Sequence, residues 1–446
     1  MMKTGILLCF AFLLAANMSF ATSHQPVLEN DEEQDAGESY VLSLEEAKGL
    51  ALEYNITLKN AGLTIDKADA ARWEAIAQGL PQVSATVDFT TFFGASNTFE
   101  LAPGAEATIA FNSTSNFNGS VSQLIYSGSY IVGVQIAKLY QDIALKSAEK
   151  SELDVRQQVT DAYYAILLAE KTKEILDQNL QNVVDLRDKT EMMLKAGVAE
   201  PTDVDQLSIQ VTMLESSLRT NARQTALAYD FLKLQMGLSP VVNIELTQTI
   251  DDFFDPESFY ASLLRVFNIS ENIDYQLMEQ QQGVSEKQVN LAKSEYTPTV
   301  AAAYNHLEQI LAPNFNMSPK NTLTLNMNIP IFSSGQRKAR VSQAQIDLET
   351  AENNKRQLND ALLAQDRTIK TNLKTALDQY DAQVENVAIA KRVFDNINRK
   401  YEAGMVSSLD LTTANTNYLN AESTYIQAML DVLKAYSELE RFYNNI

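Results

Sequence analysis

Two histidines, His24 and His306, and one cysteine, Cys9, are all the imidazole and thiol chemistry this 446-residue chain offers. His24 falls in a polar N-terminal stretch and His306 near the end of a strand-like segment, so a histidine base or a cluster of imidazole ligands has almost no material. Cys9 lies in an apolar leader and is expected to leave with it, which removes disulfides, thiolate metal sites and cysteine nucleophiles. No glycine-rich phosphate loop and no nucleophile elbow occurs. Neither a metal, a cofactor nor an enzymatic activity is expected. What remains is carboxylate: 57 Asp and Glu against 35 Lys and Arg, a formal net charge of −22. That sign excludes a nucleic-acid backbone as partner and, taken over the whole chain, argues against an anionic membrane surface. Most of these acids read as solvated helix faces. Asp203 and Asp410 stand apart, because each follows an Ala-Gly pair, Ala196-Gly197 and Ala403-Gly404, at the same spacing. Their ordinary role is a carboxylate in the first turn of a helix, favoured there by ~0.3–1 kcal/mol.

That repeated spacing belongs to a larger duplication. Lys195-Ala196-Gly197-Val198 through Asp203 returns as Glu402-Ala403-Gly404-Met405 through Asp410, and Gly128 returns as Gly335 at the same displacement. Leu80-Pro81-Gln82-Val83 returns as Thr297-Pro298-Thr299-Val300 at a slightly larger one, so the copies differ by a short insertion. Repeat 1 spans 43–237 and repeat 2 spans 269–446, with 238–268 between them. Each copy predicts helix, strand, loop, strand, long helix, turn and return helix. In the first, Ser43 and Glu46 form a capping box for a helix running to about Gly79, where Pro81 stops it. Strands follow at about 83–93 and 117–126, then a long helix at 129–196 and its return at 202–237. In the second the strands are about 299–307 and 322–331, the long helix 336–403 and its return 408–443.

The last strand segment alternates most clearly: Leu323, Leu325, Met327, Ile329 and Ile331 against Thr322, Thr324, Asn326 and Asn328. Nine or ten residues with one oily face is the pattern of a membrane-crossing β-strand. No segment of the mature chain offers the ~20 continuous apolar residues of a transmembrane helix. At ~1.5 Å per residue each long helix would reach roughly 100 Å, too long for one globular core to bury. The seam Ile369, Leu373, Ala376, Tyr380, Gln383, Val387, Ala390, Phe394, Ile397, Tyr401 steps by four and three, as does Leu411 through Phe442 on the return helix. A sustained 3.5-residue rhythm predicts antiparallel coiled coils. Four strands cannot close a barrel, whereas three chains would supply twelve; a dimer with eight is the alternative. Met1-Met2-Lys3, the apolar run Gly5–Ala16 and Ser19-Phe20-Ala21 read as a signal peptide, 1–21, and 22–42 as an acidic disordered leader.

Together the duplicated plan, the Pro-led strands, the Gly128 and Gly335 strand-to-helix junctions and the two Ala-Gly turns followed by Asp resemble the TolC-type family of outer-membrane efflux and secretion ducts. The resemblance implies an α+β membrane protein: a homotrimer with a twelve-stranded β-barrel in outer-membrane lipid and a periplasmic tunnel of α-helical coiled coils. It implies an equatorial segment at 238–268, and a passive duct served by a periplasmic adaptor protein and an inner-membrane pump or ABC transporter. The turns Ala196, Gly197, Val198 and Ala403, Gly404, Met405 would dock the adaptor. Tyr401, Asp410, Thr202 and Asp203 would lie at the periplasmic gate. Val406 stands where some members carry a latch Arg and Thr413 where they carry a second pore Asp, which implies one acidic ring. Beside this stand plainer readings: Gly197 and Gly404 as left-handed helix caps, Asp203 and Asp410 as caps alone, and Tyr401 as seam packing. A non-pore periplasmic coiled-coil scaffold or adhesin is the alternative function, and a hydrolase of envelope polymers a more distant one.

Overall fold

The computed structural model describes residues 39–102, 104–311 and 318–446. The expected signal peptide, most of the acidic leader, Cys9 and His24 lie outside the described residues. The leader's end does not follow expectation. Ser39–Leu42 form strand β1, which pairs in parallel with a short strand at Asn243–Leu246. Leu42 is buried and its carbonyl accepts a hydrogen bond from the Tyr163 hydroxyl at 3.0 Å. A partner two hundred residues away overrides the charge of the preceding stretch.

The capping box forms at Ser43 and Glu46, opening α1 (Leu44–Tyr54), but the expected single helix to Gly79 is broken at Asn55. The Asn55 side chain accepts from the Thr57 and Leu58 amides, capping α2 (Ile56–Ala77), and donates to the Gln235 carbonyl at 2.6 Å. A residue that is buried and bonded on both sides cannot also continue a helix. Next come β2 (Gln82–Thr90), β3 (Ser96–Ala102), β4 (Ala105–Ala110) and β5 (Thr114–Ser127). The stretch between the two expected strands is therefore not a plain loop: it folds back on itself as the antiparallel β3–β4 hairpin. Then come α3 (Gly128–Lys195), α4 (Pro201–Met236), β6 (Asn243–Leu246), a 3-10 turn at Ile250–Phe253, α5 (Pro256–Ser262), a second such turn at Ile269–Glu271 and α6 (Ile273–Ser294). The chain closes with β7 (Thr299–Leu311), β8 (Asn321–Asn328), α7 (Gln336–Glu402) and α8 (Ser408–Phe442). The ladder of β8 stops short of the expected 331 because Pro330 has no N–H to donate. β7 runs beyond the expected 307 because β5, itself longer than expected, pairs with it as far as Leu311.

α3 packs along both α2 and α4, and α7 along both α6 and α8. Every position of the α7 and α8 seams is buried or half-buried, and Phe394 stacks on Tyr418 with ring centroids 5.7 Å apart. The main core gathers Leu42, Tyr163, Leu232, Leu373 and Leu433 from five elements. A second, small cluster of Val183, Leu207, Val211 and Leu214 lies toward the turns. Gly237, at φ +75, ends α4 against α1; a Cβ there would sit 2.3 Å from the Tyr54 carbonyl oxygen, so only glycine fits.

Candidate functional site

Two places carry chemistry that a core does not require: the sheet and the tip where the long helices turn. The four-stranded sheet runs β2-β5-β7-β8, antiparallel throughout, with β2 and β8 unpaired on their outer edges. Its register aligns Val83, Val121, Tyr304 and Leu323 in one row across all four strands, and Ser84, Ser120, Asn305 and Thr322 in the next. Because successive residues face opposite sides, one face is apolar and the other is lined by hydroxyls and amides. Leu323, Leu325 and Met327 are 79%, 70% and 59% exposed. A soluble sheet would cover such a face. At one end of the sheet Lys320 pairs with Glu308 at 3.0 Å and His306 Nδ1 meets Asn321 Oδ1 at 2.7 Å.

At the tip both long helices end in the same motif. The Gly197 and Val198 amides donate to Leu194 and Met193 carbonyls, and the Gly404 and Met405 amides to Tyr401 and Lys400. Gly197 and Gly404 are left-handed, at φ +75 and +71. This satisfies the last carbonyls of each helix and explains both glycines, with Ala196 and Ala403 as the caps before them. It leaves Val198 and Met405 facing solvent, 72% and 74% exposed. Two matching apolar points at the end of the molecule are not explained by capping.

The expected gate residues separate by role. Tyr401 is buried, and its hydroxyl lies 2.9 Å from Thr190 Oγ1. Thr190 already donates to the Leu186 carbonyl, so Tyr401 is the donor. Burial pushes the Tyr401 hydroxyl above its ordinary pKa. Asp203 accepts from the Glu200 amide and from Ser408 Oγ, which also reaches Gln206. The bond to Ser408 ties the starts of the two return helices together. Asp410 caps its own helix, accepting from the Ser407 amide at 3.0 Å and hydroxyl at 2.7 Å. Those two bonds hold its exposed carboxyl below the usual range. Thr202 makes only a local bond to Glu200. Tyr401 and Asp203 are thus engaged between helices, whereas Asp410 and Thr202 make local bonds.

Sequence reasoning missed the partners Thr190 and Ser408, and the reciprocal side-chain amide pair Asn179–Asn415, buried between α3 and α8. It also missed Asn272, which caps α6 and donates to the Phe442 carbonyl at 3.1 Å. Asn272 stands to Asn55 as Pro298 stands to Pro81, so the duplication contained the signal. Among the described residues no cluster of His, Cys, Asp and Glu could hold a metal, and no helix is long and apolar enough to cross a membrane.

The family model for outer membrane efflux proteins matches residues 48–237 and 269–445. Among solved structures, CusC, from a study of folding and transmembrane channel formation, superposes with a TM-score of 0.74 at 16% identity, covering 91% of this chain and 93% of its own. The Vibrio cholerae outer membrane protein VceC gives 0.72 at 15% identity, covering 90% and 96%. The Campylobacter jejuni CmeC outer membrane channel gives 0.71 at 15%, covering 90% and 85%. Identities this low speak for the fold alone. No curated protein sequence matches the chain.

Proposed function

The chain belongs to the outer membrane efflux protein family, and from that premise we propose that three copies assemble into the exit duct of a tripartite efflux system. It is an outer membrane protein reaching into the periplasm. The observation that carries the trimer is the two-faced sheet with both edges open: twelve strands close a barrel that puts the Val83 row in lipid and the Ser84 row in the lumen. An adhesin or scaffold has no use for the exposed apolar row. The segment at 238–268, between the two matched blocks, is the equatorial belt.

The helical coils form the periplasmic conduit, and a periplasmic adaptor grips it at Val198 and Met405. An inner-membrane transporter supplies the energy, and the duct is a passive route. The gate lies at the tip. Tyr401–Thr190 and Ser408–Asp203 hold the coils closed, and three copies of ionised Asp410 give the mouth its preference for cations. The test is planar-bilayer conductance of detergent-extracted protein whose oligomer mass is measured in the same preparation. A trimer giving small cation-selective steps, with selectivity reduced in Asp410→Ala, is expected. A soluble monomer without conductance would sink the duct, and unchanged selectivity in Asp410→Ala would remove Asp410 from the mouth.

A further inference from the structure

The two strand-to-helix junctions descend from one plan yet differ in charge. At the first, Ser127 caps α3 through the Tyr130 amide, and residues 128–133 carry no charge. At the second, three of the chain's 35 cationic residues, Arg337, Lys338 and Arg340, fall within four positions in the opening turns of α7, with no acid in the first turn. Cations are disfavoured at that end of a helix. A strand-to-helix junction of this plan does not need exposed cations to fold, since its sister forms without any.

The place they occupy is fixed tightly. Ser334 and Gly335, both at positive φ, turn the chain directly from strand to helix. Arg337 is buried and folds back to donate to the Pro330 carbonyl at 2.7 Å and to Ser333 Oγ at 3.0 Å, with its guanidinium over the Tyr296 ring. Pro330 lies between Ile329 and Ile331, the last members of the apolar stripe, and Phe332 beyond them is 85% exposed. The cations therefore begin where the oily face ends. Lys338 is exposed and has no acidic partner among the described residues. Arg340 is half exposed and pairs with Glu295 at 2.7 Å, an arrangement weak enough in water to exchange for another anion.

We infer that Lys338 and Arg340 form a docking surface for the phosphate of anionic glycerophospholipids in the leaflet at the tunnel end of the barrel. This rests on the outer-membrane reading above. Charge complementarity and height select the occupant: a short run of cations at the rim of a lipid-facing stripe meets headgroup phosphate. The chain's overall charge of −22 is no obstacle, because screening confines the interaction to about 10 Å.

The test is headgroup selectivity of the full chain, reconstituted in vesicles of equal phosphatidylglycerol and phosphatidylcholine, with spin-labelled lipid of each type as reporter. Wild-type protein should hold the phosphatidylglycerol label two- to four-fold more than the phosphatidylcholine label, and K338Q/R340Q should reduce the ratio to about one. Arg337 is left in place because its bonds support the corner. Equal ratios in wild type and variant, or no preference in wild type, would overturn the proposal alone, provided the protein floats with the vesicles. Wild-type protein that does not float would overturn the barrel and this surface with it.

Discussion

The level at which Tyr163, Leu232, Leu373 and Leu433 meet and the tip at which the long helices turn are held by different physics. At the first, side chains from five elements are buried together, and the two asparagine clasps, Asn55 to Gln235 and Asn272 to Phe442, fasten each short helix to the end of its own return helix. At the tip, the two coils share the hydrogen bonds of Tyr401–Thr190, Ser408–Asp203 and Asn179–Asn415 and a small apolar cluster. Burial of apolar area is non-directional and collective, so the first level can be breached only by large loss. Single hydrogen bonds contribute ~1 kcal/mol net each and can be exchanged for water. The difference teaches that the tip is the more easily parted of the two levels, because its contacts are few and directional where the core's are many.

Several substitutions break or sharpen this contrast. Leu373→Ala, fully buried in the core, should lower unfolding free energy by about 2–5 kcal/mol and visibly reduce the thermal midpoint of the solubilised protein. Asn272→Ala removes the cap of α6 and orphans the Phe442 carbonyl, for a loss of about 2–3 kcal/mol; full retention of the midpoint would mean that the clasp is idle.

Asp161 should give a gain. It lies on α3 facing Lys434, Ser437 and Glu438 of α8, and burial pushes it up to about 6. Lys434 and Ser437 offset this in part, but neither Asp161 Oδ1 nor Ser437 Oγ has a hydrogen-bond partner, so contact with Ser437 counts for less than its proximity suggests. Since the folded pKa is above the unfolded 3.8, the penalty is absent below about pH 4 and complete above about 6; stability falls as pH rises through that window. Asp161→Asn should flatten the dependence and stabilise the protein at pH 7 by on the order of 2 kcal/mol, as pH-resolved melting would show. Smallest in stability is Tyr401→Phe, about 1 kcal/mol, because Thr190 keeps its bond to Leu186. Its effect on conductance should be the larger one, with longer or more frequent openings. An unaltered channel would assign Tyr401 to packing alone.

The contrast also explains what could be read from the chain. The Ala-Gly turns, the seam from Ile369 to Tyr401 and the alternation at Leu323 are local or periodic patterns, and they gave the repeat, the coils and the strands. The pairing of β1 with β6 and the partners Thr190 and Ser408 depend on residues about two hundred positions apart that meet only after folding, and no spacing announces them; the β3–β4 hairpin is local, and the polar composition of its stretch masked it. Asn55 and Asn272 lie between these cases. Each reads singly as an ordinary polar residue, and only the displacement shared with Pro81 and Pro298 marks the pair.

The paired caps at Gly197 and Gly404 and the single β3–β4 hairpin have a consequence for symmetry. In the trimer proposed above, two equivalent turns per chain would give six near-identical points at one end of the duct, which a ring of six partner subunits could meet alike. The hairpin has no counterpart in the described part of the second repeat. At the opposite end the same trimer would be threefold as far as the described residues go, and whatever approached it there would encounter three alternating faces instead of six.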